Sequence, residues 1–149
     1  KKKKYISYEI SNFSKKNNFQ CQHNLHYWNL NPYLAFGPSA HGYDLKKRWW
    51  NVRSIDSYYN SINKKLLPIE GKEIITKKNN INELIFNGLR LSKGIPMLKL
   101  KNLLDKEFDS FIKNSLNKWK ELKIKDQYLM LNEEGTLIAD EICSDLFLE

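Results

Sequence analysis

The sequence predicts an α+β fold, with strands and loops in the first third of the chain and mostly helices after that. Three patterns support this prediction. Short apolar or alternating runs occupy residues 5–37, apolar residues at helical spacing begin after Ser54, and the chain closes in the order helix, helix, hairpin, helix. With 149 residues, 41% of them hydrophobic and 13% aromatic, the chain is expected to bury a core.

The predicted strands lie in the first fifty residues. The segment YISYEI (5–10) alternates in polarity, and YLAFG (33–37) is a short apolar run before a glycine, which predicts a buried strand. The segment GPSAHGYD (37–44) then predicts a loop of small residues, where the backbone can approach a ligand closely.

The hydrophobic period becomes helical at Ser54. Ser54 is a suitable N-cap for the segment SIDSYYNSINK, and the helix is expected to stop before Pro68 and Gly71. NNINELIFNGLRL (79–91) predicts a second helix capped by Asn79 or Asn80. Its predicted buried face consists of Ile81, Leu84, Ile85 and Leu89.

The last third of the chain has the element order of a winged-helix module. Pro96 suits the first position of a helix, and EFDSFIKNSLNKWKEL (107–122) predicts another with apolar residues three and four apart. IKDQYLML (124–131) predicts a hairpin that turns at Asp126 and Gln127, and NEEGTLIADEICSDLFL (132–148) predicts an amphipathic helix.

A net charge of +8 raises the hypothesis of a nucleic-acid partner, because basic surfaces attract phosphate. The positive charge is nearly all lysine scattered along the chain, with arginine only at positions 48, 53 and 90. Abundant lysine, asparagine and isoleucine together are typical of an AT-rich genome, and the last helix is acidic. We therefore expect no nucleic-acid partner, although a winged-helix module that binds nucleic acid remains an alternative.

The sequence predicts a cytoplasmic protein. No run of about 18 apolar residues is present, and the N-terminal KKKKYISYEI lacks the features of a signal peptide. Cys21 and Cys143 lie far apart in the sequence and indicate no disulfide framework.

The segment CQHNLHYWNL (21–30) concentrates side chains that can ligate a metal, hold a flat aromatic ligand, or pack in a core. If it is extended, His23 and His26 point to opposite faces, whereas in a helical turn they share a face. Cys21 and His23 supply two metal ligands without an obvious third or fourth, so a zinc site is not expected. A neutral imidazole is also a good axial ligand for heme iron.

Four segments in this order carry a family resemblance: YEISNFS (8–14), CQHNLHYW (21–28), YLAFGPSAHGY (33–43) and RWWNV (48–52). They resemble the C-terminal part of the radical SAM proteins of the oxygen-independent coproporphyrinogen III oxidase-like family, the HemW-type heme chaperones. The resemblance implies that residues 1–53 end a partial (β/α) barrel, that residues 54–94 form connecting helices, and that residues 95–149 form a winged-helix-like domain.

The resemblance also implies binding sites. Heme would contact His23, Asn24, Tyr27 and Trp28, with His23 on the iron. S-adenosylmethionine would contact Gly37, Ser39, Ala40 and His41. Arg48, Trp49, Trp50 and Asn51 would reach the porphyrin propionates or stack on the macrocycle, and Glu9 and Asn12 would face the same cavity. The alternatives are a structural histidine with Tyr27 and Trp28 in the core, a tight turn of small residues packed on the barrel rim, and packing of the adjacent tryptophans at a domain boundary.

The implied function is to bind heme and deliver it to acceptor proteins at the membrane. An alternative is radical-dependent decarboxylation of coproporphyrinogen III, and another is a structural remnant. Family members bind a [4Fe-4S] cluster through three cysteines in a C-x3-C-x2-C motif, which this sequence lacks. We therefore expect this chain, a tail of a longer protein or a truncated remnant, not to be catalytic alone.

Overall fold

The computed structural model describes residues 4–149 and has a mixed helix and sheet architecture. The strands and α-helices of this part follow one another as β1 (Ile6–Ser7), β2 (Phe13–Ser14), α1 (Gln22–Trp28), β3 (His41–Tyr43), β4 (Lys47–Asn51), α2 (Ile55–Asn63), β5 (Ile69–Ile74), α3 (Lys77–Arg90), β6 (Ile95–Pro96), α4 (Met97–Leu104), α5 (Phe108–Lys118), β7 (Leu122–Lys125), β8 (Tyr128–Leu131) and α6 (Ala139–Leu146). None of these helices is long and apolar enough to cross a bilayer.

The chain forms two compact units. One is residues Asn31–Thr76, and the other joins the segment up to Leu30 with Lys77–Glu149. The sequence predicted divisions after residues 53 and 94, at the expected ends of a barrel and of the connecting helices. These divisions stay predictions.

The unit of residues 31–76 is built on an antiparallel sheet in the order β3-β4-β5. Helix α2 follows β4 and begins where the sequence predicted, because the Ser54 hydroxyl accepts a hydrogen bond from the backbone N–H of Ser57 at 3.2 Å. Pairing with β3 on one side and β5 on the other holds β4, which contains Trp49 and Trp50.

The predicted buried strand at residues 33–37 is wrong. Tyr33 makes one bridge to Tyr43, and no ladder continues from it within the described chain. Leu34 is 69% exposed and Phe36 is 79% exposed. A short apolar run predicts burial only if a neighbouring element covers it, and the sequence pattern contains no information about that neighbour.

The core of the other unit is formed by α3, α4, α6 and the small sheet β6-β8-β7, with Phe108 added from the start of α5. Helix α3 begins at Lys77, so the predicted caps Asn79 and Asn80 lie inside its first turn. The predicted buried face is confirmed. Its members are Ile81, Leu84, Ile85 and Leu89, and each is at most 5% exposed.

The predicted C-terminal elements are present with small shifts. The hairpin joins β7 and β8 through Asp126 and Gln127, whose φ angles of 50° and 66° suit a two-residue hairpin turn. Pro96 is the N-cap of α4, one position before the helical residue predicted for it. A 3₁₀ turn at Gly135–Ile138 precedes α6, so the last helix is shorter than its amphipathic pattern.

The segment YISYEI (5–10), which alternates in polarity, contains only a two-residue strand. Only Ile6–Ser7 pairs with Phe13–Ser14, and Glu9 makes a separate bridge to Leu91 at the end of α3. Tyr8 and Glu9 are buried, whereas Tyr5 and Ile6 are exposed. The segment is therefore anchored to its unit mainly by its second half.

Candidate functional site

The segment CQHNLHYWNL forms a short helix. Cys21 has extended backbone geometry and precedes α1 without a side-chain cap. At the other end, the Asn29 side-chain amide donates to the Leu25 carbonyl at 2.8 Å, and Leu30 adopts a left-handed φ of 56° that ends the helix. Of the two conformations considered from the sequence, the helical one is adopted.

His23 and Tyr27 lie four positions apart and share one helix face. Their ring centroids are 4.8 Å apart with an interplanar angle of 71°, an edge-to-face contact. Both side chains are exposed, Tyr27 at 38%, and Asn24 beside them is partly buried. His26 is also exposed, and its ring centroid lies 6.4 Å from that of Tyr27.

Trp28 lies on a different side of α1. A helix turns about 100° per residue, so Trp28 is about 140° around the axis from His23. The Arg90 guanidinium lies 5.4 Å from the ring centroids of both Trp28 and Phe86, and it forms an ion pair of 3.1 Å with Asp140. The structure therefore brings His23 together with Tyr27, while Trp28 packs against α3.

The loop 37–40 is held by a buried amide. The Asn51 side chain, 2% exposed, donates to the carbonyls of Gly37 at 2.9 Å and Ala35 at 3.3 Å. The Asn51 backbone N–H donates to the Ala40 carbonyl at 2.9 Å, and the Ser39 N–H donates to Val52 at 3.0 Å. The Asn51 amide is buried and bonded to this loop, and its contact with a propionate stays a prediction.

A cavity of about 590 Å³ adjoins the loop and is lined by Ser39, His41, Trp50, Asn51 and Arg53. The rings of His41 and Trp50 are 6.1 Å apart and tilted by 33°. Gly37 and Ala40 contribute backbone to the loop without lining the cavity. Arg53 was not singled out as a site residue, and no spacing in the sequence pointed to it.

The neighbouring tryptophans of β4 point to opposite faces of the sheet, as successive strand residues do. A Cβ on Gly42 would lie 2.3 Å from the Trp49 ring, and one on Gly71 would lie 2.4 Å from the Trp50 ring. The two indoles therefore cover different glycines and cannot stack on one macrocycle together. Arg48 forms an ion pair of 2.9 Å with Glu73 on β5.

Glu9 and Asn12 bind each other. Glu9 is 1% exposed, and its Oε1 accepts hydrogen bonds from the Asn12 side chain and, at 2.9 Å, from the Ser11 backbone N–H. Their contribution is to close the turn between β1 and β2. The Tyr8 hydroxyl accepts a hydrogen bond of 3.3 Å from the Cys21 N–H, which ties this turn to the start of α1.

The described residues contain no group of three or more His, Cys, Asp or Glu side chains that could hold a metal ion. Cys21 is exposed and Cys143 is buried. The residues present therefore do not fit a [4Fe-4S] cluster, whereas a single exposed imidazole fits an axial position on heme iron.

Comparison with known proteins relates this chain to HemN. Residues 75–138 match the family model described as the HemN C-terminal domain. The fold resembles coproporphyrinogen III oxidase (HemN) from Escherichia coli, a radical SAM enzyme, with a TM-score of 0.60 over 91% of this chain and 30% of that chain. At 13% sequence identity this likeness concerns the fold alone.

Relatives similar to this chain in sequence are named heme chaperone HemW. The heme chaperone HemW of Mycobacterium tuberculosis is 30% identical over 93% of this chain and 34% of its own length. Heme chaperone HemW of Bacillus subtilis is 30% identical over 91% of this chain and 36% of its own length. Heme chaperone HemW of Buchnera aphidicola subsp. Acyrthosiphon pisum is 40% identical over 64% of this chain and 25% of its own length. The chain thus spans about a third of these relatives or less, and it belongs to the HemW-type family, as a C-terminal part of it.

Proposed function

We propose that this chain is the heme-binding part of a radical SAM heme chaperone, with His23 as an axial ligand of the iron and delivery of heme to acceptor proteins at the membrane as the purpose. The observation that carries the proposal is the exposed His23 imidazole, held edge-on to Tyr27 on a short helix. The relatives named heme chaperone HemW support it.

The exposure of the His23 imidazole suits a protein that transfers heme to another protein. A heme bound through one surface imidazole keeps its other axial position and much of its edge accessible to an acceptor, while a deeply enclosed heme would be released slowly. Tyr27 would cover part of the porphyrin face, and Asn24 lies beside it on the same helix. Trp28 would support the helix from below through its contact with Arg90.

The loop around Ser39 and His41 would contact S-adenosylmethionine in the longer protein. Its support is the fixed backbone and the adjoining cavity, where the Trp50 ring offers a flat surface and Arg53 a positive charge. A [4Fe-4S] cluster would come from residues outside this sequence. The proposal has three further parts. Residues 1–53 are the end of a partial (β/α) barrel, residues 95–149 form a winged-helix-like domain, and the protein is cytoplasmic.

A second candidate is coproporphyrinogen III decarboxylation, favoured by the likeness to HemN. An assay of coproporphyrinogen III conversion by the full-length protein with a reconstituted cluster distinguishes the two functions. Conversion of coproporphyrinogen III to protoporphyrinogen IX would favour the oxidase and contradict the chaperone proposal.

The ligand assignment is tested by titrating hemin into the protein and its His23→Ala variant. We expect a shifted Soret band for the unaltered protein and its loss in His23→Ala, because no other imidazole occupies the same position. His26→Ala is the matched control, since it removes an exposed histidine three residues away on the same helix, and it should keep the shift. An unchanged Soret band in His23→Ala would refute the assignment.

A further inference from the structure

The unit of residues 31–76 has an exposed apolar surface on one face of its sheet. Leu34, Phe36 and Leu67 are each at least 69% exposed, and Ile69 is exposed as well. These four side chains line a single cavity of about 480 Å³, so they belong to one continuous surface. Large apolar side chains that are both grouped and exposed mark sites where a protein binds other proteins or membranes.

Lysines lie beside these apolar side chains. Lys47 and Lys72 line the same cavity. Lys72 is paired with Trp49 in the register of β4 and β5, and Lys47 lies two residues before Trp49, so all three are on one face of the sheet. Lys47 and Lys72 are diagonal neighbours, which in an antiparallel sheet are about 7–8 Å apart. The Lys47 ammonium lies 6.0 Å from the centroid of the Trp49 ring, so the two lysines flank one indole.

Asp44 is the acidic residue among those that line the cavity, and its charge is used locally. Its carboxylate accepts hydrogen bonds from the backbone N–H groups of Lys46 at 3.1 Å and Lys47 at 2.9 Å. It also forms an ion pair of 3.5 Å with the Lys47 ammonium. Lys72 has no ion pair with a carboxylate within the described chain. The surface therefore combines apolar side chains with a net positive charge.

This combination suits a bilayer that contains anionic lipids. At such a bilayer, apolar side chains enter the boundary between headgroups and acyl chains, and neighbouring lysines contact the anionic headgroups. Leu34 and Phe36 lie outside the helices and strands, so they can enter this boundary without disturbing the sheet. A bilayer requires no fitted counterpart, so projecting loop side chains suit it better than a protein partner with a complementary shape.

We propose that the face formed by Leu34, Phe36, Leu67, Lys47 and Lys72 docks onto a bilayer containing anionic lipids. The inference rests on the proposed delivery of heme at the membrane and names the surface that would hold the protein there. All five side chains belong to the unit of residues 31–76, whereas the proposed heme ligand belongs to the other unit. Docking therefore requires no bound heme.

The test is flotation of the heme-free protein with vesicles, made either of phosphatidylcholine or of an equal mixture of phosphatidylcholine and phosphatidylglycerol. We expect tighter binding to the mixed vesicles and a loss of that preference in high salt, because salt screens the lysine charges. Lys47→Gln with Lys72→Gln should weaken binding to mixed vesicles about thirty-fold, since each lysine contributes about five-fold at an anionic surface. Phe36→Ser with Leu67→Ser should weaken binding to both kinds of vesicle about ten-fold or more, because less apolar area enters the bilayer.

The matched controls remove the same side-chain types from the other unit. Leu98→Ser with Leu137→Ser replaces two similarly exposed leucines, and Lys113→Gln with Lys123→Gln replaces two exposed lysines. Both double variants should bind vesicles as the unaltered protein does. All four double variants change exposed side chains and should keep the fold, which circular dichroism checks.

Equal vesicle affinity in the test and control variants, or no binding by the unaltered protein, would overturn the docking surface. Self-association without vesicles that Phe36→Ser with Leu67→Ser abolishes would assign the surface to a second copy and also overturn it. Loss of vesicle binding in the full-length protein would overturn it too, because another part of that protein would then cover the surface. The hemin titration judges the heme ligand separately, so absent vesicle binding beside an intact Soret shift would refute only the docking surface.

Discussion

At the scale of single residues, the exposed His23 imidazole and the partly buried Arg90 beneath α1 have different roles. His23 and Tyr27 face outward, where a planar ligand can reach them. Arg90 lies between the rings of Trp28 and Phe86 and pairs with Asp140, so it fixes the base of the helix. A short helix without a buried residue needs such an anchor, because an isolated helix of this length is unstable in water.

The two cysteines offer a test of burial at this scale. Cys143 is 1% exposed, and burial, with a smaller effect of Asp140, raises the pKa of its thiol to about 11. Cys21 is exposed. We expect a thiol reagent such as Ellman's reagent to modify one cysteine in the folded protein and two in denaturant.

Cys21→Ser is the matched variant and should leave no rapidly reacting thiol. Rapid reaction of two thiols in the folded protein would contradict the burial of Cys143. The raised pKa also has a consequence for stability, because the unfolded thiol loses its proton first. This contribution to the free energy of unfolding is present below the unfolded pKa of 9.0 and is lost as the pH rises towards about 11.

At the scale of elements, the connection from α3 to β6 depends on a glycine. Gly94 has a φ of +81°, and a Cβ there would lie 2.3 Å from the Leu129 carbonyl oxygen. Gly94→Ala should therefore lower the free energy of unfolding by about 3 kcal/mol, measured by urea denaturation. Gly37→Ala is the comparison, because Gly37 has a φ of +99° with no atom within 4 Å of a Cβ.

The Gly37→Ala variant should lose about 1 kcal/mol, the cost of backbone strain without a clash. Equal losses in the two variants would show that the contact with Leu129 is unimportant.

How well an element could be predicted depends on whether its partner was visible in the pattern. The buried face of α3 and the hairpin turn at Asp126 and Gln127 follow from local spacing, and both are confirmed. The segment 33–37 failed because burial of a short apolar run depends on distant residues.

The site was predictable only as a set of residue types. Spacing left open whether residues 21–28 are helical or extended, and the helix joins His23 to Tyr27 but separates both from Trp28. The adjacent tryptophans of β4 looked like one aromatic surface in the sequence. Alternation along the strand puts Trp49 and Trp50 on opposite faces of the sheet.

At the scale of the whole molecule, the sequence covers about a third of the length of relatives such as those from Mycobacterium tuberculosis and Bacillus subtilis. The described residues do not fit a [4Fe-4S] cluster, whereas the proposed heme ligand lies on this chain. The proposed function depends on one bond between His23 and iron.

Pulsed EPR of ferric heme bound to the protein labelled with nitrogen-15 histidine tests that bond most directly, because a coordinating imidazole nitrogen gives a strong hyperfine coupling. We expect this coupling in the unaltered protein and in His26→Ala, and its absence in His23→Ala. Heme that binds without histidine coupling, or coupling that persists in His23→Ala, would contradict the account.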